Sequence, residues 1–209
     1  MPRYLDFVEG NDWAEVNVLA KRLFDYSCLK VARLASLGQA VMWAEQNSFV
    51  GDLVECGCFR GGSAAMMGLC CPKRRLWLFD SFEGLPPASE VDGRRAQQWT
   101  GACRSSEDEI RGFLEDEGLS RFKMVKGWFK DTLPPAKPEQ IAVLHIDVDW
   151  YESTKSCLEG LYDRVVPGGV VQIDDYQSWP GARKAVDEFL ETHQPQEMRI
   201  VDVAMVVVK

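Results

Sequence analysis

DLVECGCFRGGS, at residues 52–63, is a short apolar run that leads into a glycine-rich turn. The apolar part is too short for a helix and suits a strand that is buried on both faces. Residues 61–71, which follow it, are small and compatible with a helix. A strand, a glycine-rich turn and a helix in this order begin an α/β sheet, and the turn lets the backbone at the start of the helix approach a ligand closely.

The alternation of strands and helices continues along the rest of the chain. Besides residues 51–57, apolar runs predict strands at residues 75–80, 121–127, 141–147 and 170–174, and at MRIVDV and AMVVVK in residues 198–209. Amphipathic segments predict helices at residues 105–118, 181–193 and 151–165, the last of them ended by Pro-Gly-Gly at 167–169. Apolar strands that alternate with helices are typical of a parallel sheet covered on both faces. We therefore predict a mostly parallel α/β sheet of seven strands.

The N-terminal part of the chain has a different pattern. Residues 12–47 repeat apolar positions at three- and four-residue spacing, which predicts two helices broken near Asp25–Cys28. A length of 209 residues suits one compact domain with a small helical appendage. We therefore divide the chain into an N-terminal helical segment, residues 1–48, and a core domain, residues 49–209, on which it packs.

Composition and charge exclude several classes of function. The net charge of −8 argues against nucleic acid, because phosphate contacts need clustered Lys and Arg, and two histidines are too few for a His-rich metal site. Seven cysteines without a CxxC pair fit free thiols in a reducing compartment. The N-terminus lacks the apolar run of a signal peptide, and no run reaches the roughly 20 apolar residues of a membrane span. We expect a cytoplasmic protein without a membrane partner.

Polar residues follow the first two strands, where the ligand site of an open α/β sheet lies. Glu55 precedes the Gly-x-x-x-Gly-Gly turn of residues 57–62, which suits a ligand with an ammonium and a carboxylate better than a pyrophosphate. Asp80 and Ser81 end the next strand, where an acid typically accepts hydrogen bonds from ribose hydroxyls. Together they indicate a nucleoside-containing ligand. A bare turn and a helix cap are the alternatives, and the missing GxGxxG argues against a nicotinamide-dependent oxidoreductase.

Four carboxylates follow two later strands. Ile-Asp-Val-Asp supplies Asp147 and Asp149, and Ile-Asp-Asp-Tyr supplies Asp174 and Asp175. If these strands are neighbours, about 4.8 Å apart, Asp147 and Asp174 converge within reach of one cation. Converging acids raise one another's pKa unless a cation lies between them. The pattern therefore predicts a site for a hard divalent cation such as Mg²⁺, with caps and solvated loop acids as the alternative.

Five blocks of this sequence resemble, in order and spacing, the macrocin O-methyltransferase family, which includes sugar O-methyltransferases of macrolide and aminocoumarin antibiotic pathways. The blocks, within residues 28–209, are DLVECGCFRGGS, LWLFDSFEGLP, KGWFKDTLP, VLHIDVDWYEST and PGGVVQIDDY. The resemblance implies a Rossmann-like class I methyltransferase fold, with S-adenosylmethionine and Mg²⁺ as cofactors. It also implies methyl transfer to a hydroxyl of a small molecule, usually a sugar of a natural product.

The resemblance further implies roles for single residues. Asp149 matches the general base, and the rival base His145 is better interpreted as a buried, hydrogen-bonded core residue. The implied metal ligands are Asp147, Asp174 and Asp175. The implied cofactor-binding residues are Glu55, Gly57, Phe59, Arg60, Gly61, Ser63, Asp80, Ser81, Gly127, Trp128, Phe129 and Asp147.

The acceptor and the oligomeric state stay open. The chain begins later than most family members, whose N-terminal segment helps to cover the substrate and form a dimer, and Val148 stands where many have Gly. A sugar, a catechol or another vicinal diol would suit the predicted site, and a homodimer is an expectation from the resemblance. Residues 86–104, with Arg94, Arg95, Trp99 and Arg104, form either a lid or a solvated loop. A non-catalytic protein that binds S-adenosylmethionine is the alternative from another class, and the four carboxylates argue against it.

Overall fold

A seven-stranded sheet forms the centre of the computed structural model, which describes residues 3–135 and 138–209. The strands are β1 Asp52–Cys56, β2 Leu76–Asp80, β3 Phe122–Lys126, β4 Ile141–Ile146, β5 Val165–Ile173, β6 Glu197–Val201 and β7 Ala204–Val208. Their order across the sheet is β3-β2-β1-β4-β5-β7-β6. The five strands from β3 to β5 in this order are parallel, and β7 runs antiparallel to both neighbours. The predicted mostly parallel α/β sheet is confirmed.

Helices cover both faces of this sheet. They are α1 Tyr4–Gly10, α2 Ala14–Leu23, α3 Val31–Gln46, α4 Gly62–Cys70, α5 Glu107–Asp116, α6 Phe129–Thr132, α7 Tyr151–Leu161 and α8 Pro180–Thr192. Leu53 packs into one core with α1 to α5, and its neighbour Val54 packs into another with α7 and α8. This follows from the two-residue period of a strand. No helix within the described ranges combines the length and the apolarity needed to cross a membrane.

The prediction for residues 151–170 was wrong in one respect. Helix α7 ends at Leu161, a 3-10 turn follows, and strand β5 already begins at Val165. The Pro-Gly-Gly of residues 167–169 lies inside β5, where the pairing register with β4 shifts. Proline cannot donate to the ladder of a sheet, and such an irregularity accommodates it. The short helices α1 and α6 were also absent from the prediction.

The carboxyl ends of β1, β4 and β5 bring three predicted site residues side by side. Cys56 pairs with Ile146, which pairs in turn with Ile173. The next residue of each strand continues the ladder, because the amides of Asp147 and Asp174 donate to carbonyls of the adjacent strands at 2.9 and 2.8 Å. Gly57, Asp147 and Asp174 are therefore neighbours at one edge of the sheet.

Candidate active site

A cavity of about 370 Å³ opens at the carboxyl ends of the parallel strands. Its size lies in the range of small-molecule sites, roughly 300–1,000 Å³. Predicted residues in its wall are Gly57, Phe59, Asp80, Ser81, Gly127, Trp128, Phe129, Asp147, Asp149, Asp174 and Asp175. Most of the predicted site residues thus share one wall.

The turn after β1 is tightly built against the turn after β4. Gly57 has a φ of +86°, and a Cβ added there would lie 1.9 Å from the carbonyl oxygen of Asp147. Gly57 also donates its amide to the Phe79 carbonyl at 2.9 Å. Only glycine tolerates both the positive φ and the closeness of the Asp147 carbonyl, because other residues avoid this backbone conformation and carry a Cβ. The backbone of the turn therefore forms the cavity wall directly.

Asp80 holds this turn from the neighbouring strand. Its Oδ2 accepts the amide of Cys58 and its Oδ1 the amide of Phe82, each at 2.7 Å. Burial raises the pKa of Asp80, and the backbone donors lower it in part. The carboxylate thus shapes the turn while it faces the cavity.

Four predicted cofactor residues lie outside the cavity wall: Glu55, Arg60, Gly61 and Ser63. Glu55 is fully buried, and its Oε1 lies 2.9 Å from Nδ1 of the equally buried His145. Arg60 donates to the Asp25 carbonyl at 3.3 Å, and Gly61 and Ser63 belong to the buried start of α4. A contact of these residues with the cofactor stays a prediction. The interpretation of His145 as a hydrogen-bonded core residue is confirmed.

Three carboxylates converge at the ends of β4 and β5. One oxygen from each of Asp147, Asp149 and Asp175 lies within 4.8 Å of the others. The Asp149 amide also donates to Oδ2 of Asp175 at 3.1 Å. Burial, and then the charge of Asp175, raise the pKa of Asp147 and of Asp149 well above the usual range. We call these three side chains the acidic cluster.

The acidic cluster contains Asp149, the predicted base, in the place where we predicted Asp174. The Asp174 carboxylate turns to Arg33 of α3, and its Oδ2 pairs with Nη1 of that guanidinium. The other oxygen, Oδ1, is buried without a hydrogen-bond partner among the described residues. Asp174 and Asp175 lie in the turn that follows β5, where Asp174 meets Arg33 and Asp175 meets the Asp149 amide.

Sequence reasoning missed Arg33, although a signal for it existed. Arg33 is the one charged side chain between Val31 and Trp43, a stretch whose other residues, apart from Gln39, are apolar or small. The residue is 8% exposed, and its Nε lies 3.3 Å from Oδ2 of Asp202. A lone charge on a buried helix face needs a partner, and Arg33 finds two.

The lid loop, residues 86–104, forms the opposite side of the cavity. Two hydrogen bonds fix it to the start of α7, from Trp150 Nε1 to the Pro86 carbonyl at 2.8 Å and from the Tyr151 amide to Asp92 Oδ1 at 2.7 Å. Its residues Arg95, Trp99 and Cys103 line the cavity, whereas Arg94 and Arg104 do not. The lid loop is therefore anchored to α7, and it contributes side chains to the cavity.

An aromatic group forms part of this wall. Trp99 of the lid loop meets Trp179 edge to face, with ring centroids 6.2 Å apart. The Arg95 guanidinium lies over the Trp179 ring at 4.7 Å. Trp179 carried no functional prediction, because the sequence does not show that the lid loop packs against this residue.

Comparison with known proteins agrees with this fold. The macrocin-O-methyltransferase (TylF) family matches residues 8–209. Demethyldecarbamoylnovobiocin O-methyltransferase of Streptomyces niveus is 36% identical over 194 residues, which are 87% of this chain and 71% of that relative. The 8-demethyl-8-(2,3-dimethoxy-alpha-L-rhamnosyl)-tetracenomycin-C 4'-O-methyltransferase of Streptomyces olivaceus is 35% identical over 192 residues, with 86% and 70% covered.

Solved structures resemble the chain as well. The O-methyltransferase NovP has a TM-score of 0.81 and 31% sequence identity, with 88% of this chain and 82% of that chain covered. The calicheamicin methyltransferase CalS11 has a TM-score of 0.69 at 20% identity, which compares the folds alone.

Proposed function

The chain belongs to the macrocin O-methyltransferase family, and we propose that this enzyme transfers the methyl group of S-adenosylmethionine to a hydroxyl of a natural-product sugar. The observation that carries the proposal is the meeting, in one cavity, of the glycine-rich turn, Asp80 and the acidic cluster. One relative supports the acceptor class, since its name contains a rhamnosyl compound, methylated at the 4' oxygen.

The residues that follow β1, β2 and β3 would hold the cofactor. When bound, S-adenosylmethionine supplies a methyl group on a positively charged sulfur. Gly57 lines the cavity without a side chain and so allows close approach to its backbone, and Asp80 lines the same cavity beside Ser81. The aromatic side chains of Trp128 and Phe129 provide apolar surface for a flat base. The carboxylates in the same wall favour a cationic ligand.

The carboxylates also fit a hard divalent cation. We assign Asp147, Asp174 and Asp175 as ligands of Mg²⁺, because oxygen donors suit this cation. Oδ1 of Asp174, which is buried without a hydrogen-bond partner among the described residues, supports its inclusion. The pKa values of Asp147 and Asp149, which burial and the charge of Asp175 raise, support a cation at this place as well. When bound, the cation lowers the pKa of a coordinated hydroxyl and fixes its direction.

Asp149 is the residue that we assign as general base. Its carboxylate lines the cavity, and burial together with Asp175 raises its pKa well above the usual range. A raised pKa makes a carboxylate a better proton acceptor near neutral pH. Asp149 would accept the proton of the acceptor O–H as the hydroxyl oxygen bonds to the methyl carbon, while the C–S bond breaks and S-adenosylhomocysteine leaves. His145 is excluded from this step, because it is fully buried beside Glu55.

The acceptor would lie between the acidic cluster and the lid loop. Trp99 and Trp179 offer ring faces and edges, against which the C–H face of a sugar packs favourably. Ser153 and Ser178 lie in the same wall and offer hydroxyls for hydrogen bonds to the acceptor. This mixture of aromatic and polar groups is what a sugar requires.

The test is a transfer assay with isotope-labelled S-adenosylmethionine and Mg²⁺. Methyl α-L-rhamnopyranoside and a rhamnosylated aromatic glycoside serve as sugar acceptors, with catechol as the competing class. We expect methylated sugar by mass spectrometry, and its loss with EDTA or in Asp149→Asn. Asp108→Asn, on the exposed face of α5, is the matched control and should act like the wild type. Methylation of catechol alone would contradict the acceptor class, and transfer that is unaffected by EDTA would contradict the metal.

A further inference from the structure

Two cysteines from distant parts of the chain meet in the lining of the cavity. Cys28 Sγ lies 3.9 Å from Cys103 Sγ, although 75 residues separate them in the chain. Cys28 belongs to the connection between α2 and α3, and Cys103 to the end of the lid loop. Both residues line the cavity, together with Asp149 and Asp175 of the acidic cluster. A bond between these two sulfurs would join the N-terminal helices to the lid loop.

Both thiols are open to small oxidants. Cys28 is exposed, and Cys103 is half-buried with its sulfur toward Cys28. The hydrogen bond from the Cys28 thiol lowers the pKa of Cys103, against the opposing effect of burial. The thiolate is the reactive form, so Cys103 is the better nucleophile of the pair. A disulfide requires the sulfurs to approach by about 1.8 Å from their 3.9 Å separation, and both residues lie in loops where such a shift displaces no helix or strand.

A second pair of cysteines provides a contrast inside the same molecule. Cys56 of β1 and Cys157 of α7 also interact through their side chains, and burial raises the pKa of Cys56 well above the usual value. Both are fully buried in the core. The two cysteines of each pair are close to each other, but only at Cys28 and Cys103 of these two pairs does solvent also reach the thiols.

We propose that Cys28 and Cys103 are a redox modification site, in which a peroxide converts the two thiols into a disulfide that ties the lid loop over the cavity. The Cys103 thiolate attacks one oxygen of hydrogen peroxide, the O–O bond breaks, and Cys103 becomes a sulfenic acid as the first water leaves. The Cys28 sulfur then attacks the sulfenic sulfur, the S–S bond forms, and the hydroxyl leaves as a second water. The two thiols lose two electrons and two protons, and the peroxide is reduced to water.

The disulfide would act on the acceptor side of the cavity. Cys28 and Cys103 line the same cavity as Asp147 and Asp149, so the two sulfurs share this cavity with the acidic cluster. The lid loop is anchored at Pro86 and Asp92, so opening would take place toward its Cys103 end, and a disulfide from Cys103 to the α2–α3 connection would restrict that opening. The oxidised enzyme is expected to turn over at least about tenfold more slowly, reversibly with dithiothreitol. This last expectation rests on the proposed function, whereas the modification itself does not.

The modification is tested by peptide mapping of the full chain after treatment with hydrogen peroxide. Mass spectrometry of a non-reduced digest should find Cys28 linked to Cys103, with Cys56 and Cys157 still reduced. Cys28→Ser and Cys103→Ser should each abolish the linked peptide, and Cys70→Ser, at a half-buried cysteine outside the cavity, should retain it. No linked peptide, or random pairing with other cysteines, would overturn the proposal.

The tie to the lid loop has a test that needs no methyl acceptor. Trypsin cleaves after Arg94 and Arg95, which are exposed in the lid loop. Oxidation of the wild type should slow this cleavage at least about fivefold, because proteolysis follows local opening, and oxidation of Cys28→Ser should leave it unchanged. Each variant is compared with its own reduced form. A linked peptide with unchanged cleavage would overturn the tie, and slowed cleavage in a chain without methyl transfer would refute the proposed function instead.

Discussion

His145 and Glu55 stand opposite each other in register on β4 and β1, with Nδ1 2.9 Å from Oε1. Both side chains are fully buried, so the pair lies within the sheet layer below the cavity. Its remaining atoms, Nε2 and Oε2, have no partner among the described residues. The pair therefore belongs to the core beneath the cavity wall, and His145 has the contacts of a core residue, not those of a base that faces the cavity.

The first prediction concerns the base. Removing His145 as His145→Ala leaves Glu55 buried without its partner and should lower the free energy of unfolding by about 3 kcal/mol. Turnover per folded molecule should change less than about threefold, because His145 does not reach the cavity. Denaturant unfolding and the labelled transfer assay measure the two quantities. A loss of turnover as large as that of Asp149→Asn would make His145 a participant in the reaction.

The second prediction separates base from metal ligand. Asp149→Asn removes the proton acceptor and should lower kcat by about 10²–10⁴, with Mg²⁺ affinity kept within a few-fold. Asp174→Asn should weaken Mg²⁺ binding strongly, because it replaces a ligand carboxylate. Isothermal titration with MgCl₂, in the presence of S-adenosylhomocysteine, reports both affinities. If the two variants exchange their behaviour, the acidic cluster itself, with Asp149, holds the cation.

The third prediction concerns Gly57. In Gly57→Ala the new Cβ would overlap the Asp147 carbonyl oxygen, which lies 1.9 Å from its position, at a φ that alanine avoids. The free energy of unfolding should fall by about 2–4 kcal/mol, and S-adenosylhomocysteine binding should weaken as the turn moves. Gly112→Ala is the matched control, because nothing lies within 4 Å of its added Cβ. In the helix it should stabilise by about 0.5–1 kcal/mol. Equal effects of both variants would contradict the close contact between Gly57 and the Asp147 carbonyl.

The strands and the acids at their ends were predictable because both depend on local pattern. Apolar runs identify buried strands, and the carboxyl ends of neighbouring parallel strands meet at one edge. The start of β5 was not predictable, since the amphipathic pattern extends the predicted helix to Val165, where the chain has already formed a 3-10 turn and begins β5. Helix α1 was missed because distant contacts hold it, with the Tyr4 amide donating to Glu197 at 2.9 Å.

Side-chain direction at the site was harder to predict than residue identity. Asp149 has a φ of +60° and joins the acidic cluster in this conformation. The sequence Ile-Asp-Val-Asp does not predict that conformation. Asp174 turns away because Arg33, 141 residues earlier in the chain, lies on the other side. Such choices depend on partners that only the folded chain brings together.

The fourth prediction concerns the anchor of the lid loop. Asp92 is 2% exposed and accepts three hydrogen bonds, from the Ser89 amide and hydroxyl and from the Tyr151 amide. The Tyr151 amide is one of the unpaired donors at the start of α7, so Asp92 acts as a cap from outside the helix. Asp92→Ala should cost about 2 kcal/mol of stability. Hydrogen exchange in the lid loop should accelerate. Ser89→Ala, which spares the Tyr151 contact, should show the smaller effect on both measurements.

The last prediction concerns protons at the acidic cluster. Because burial and the neighbouring acids raise the pKa of Asp147 and Asp149, these groups keep protons in the metal-free protein at a pH where exposed carboxyls have lost them. A raised folded-state pKa gives stability that is present at low pH and is lost as the pH rises through that pKa. The metal-free protein should therefore lose thermal stability from mildly acidic toward neutral pH.

Mg²⁺ should reverse this loss, because a bound cation replaces the protons. Its apparent affinity should rise with pH over the same range, and binding should release protons into the buffer. Calorimetric titration at one mildly acidic pH, in two buffers of different ionisation enthalpy, measures the release directly. Asp149→Asn should release fewer protons than the wild type, and Asp108→Asn should release as many. Equal heats in both buffers would mean that the carboxyls were already ionised, and the acidic cluster would then need no cation to carry its charge.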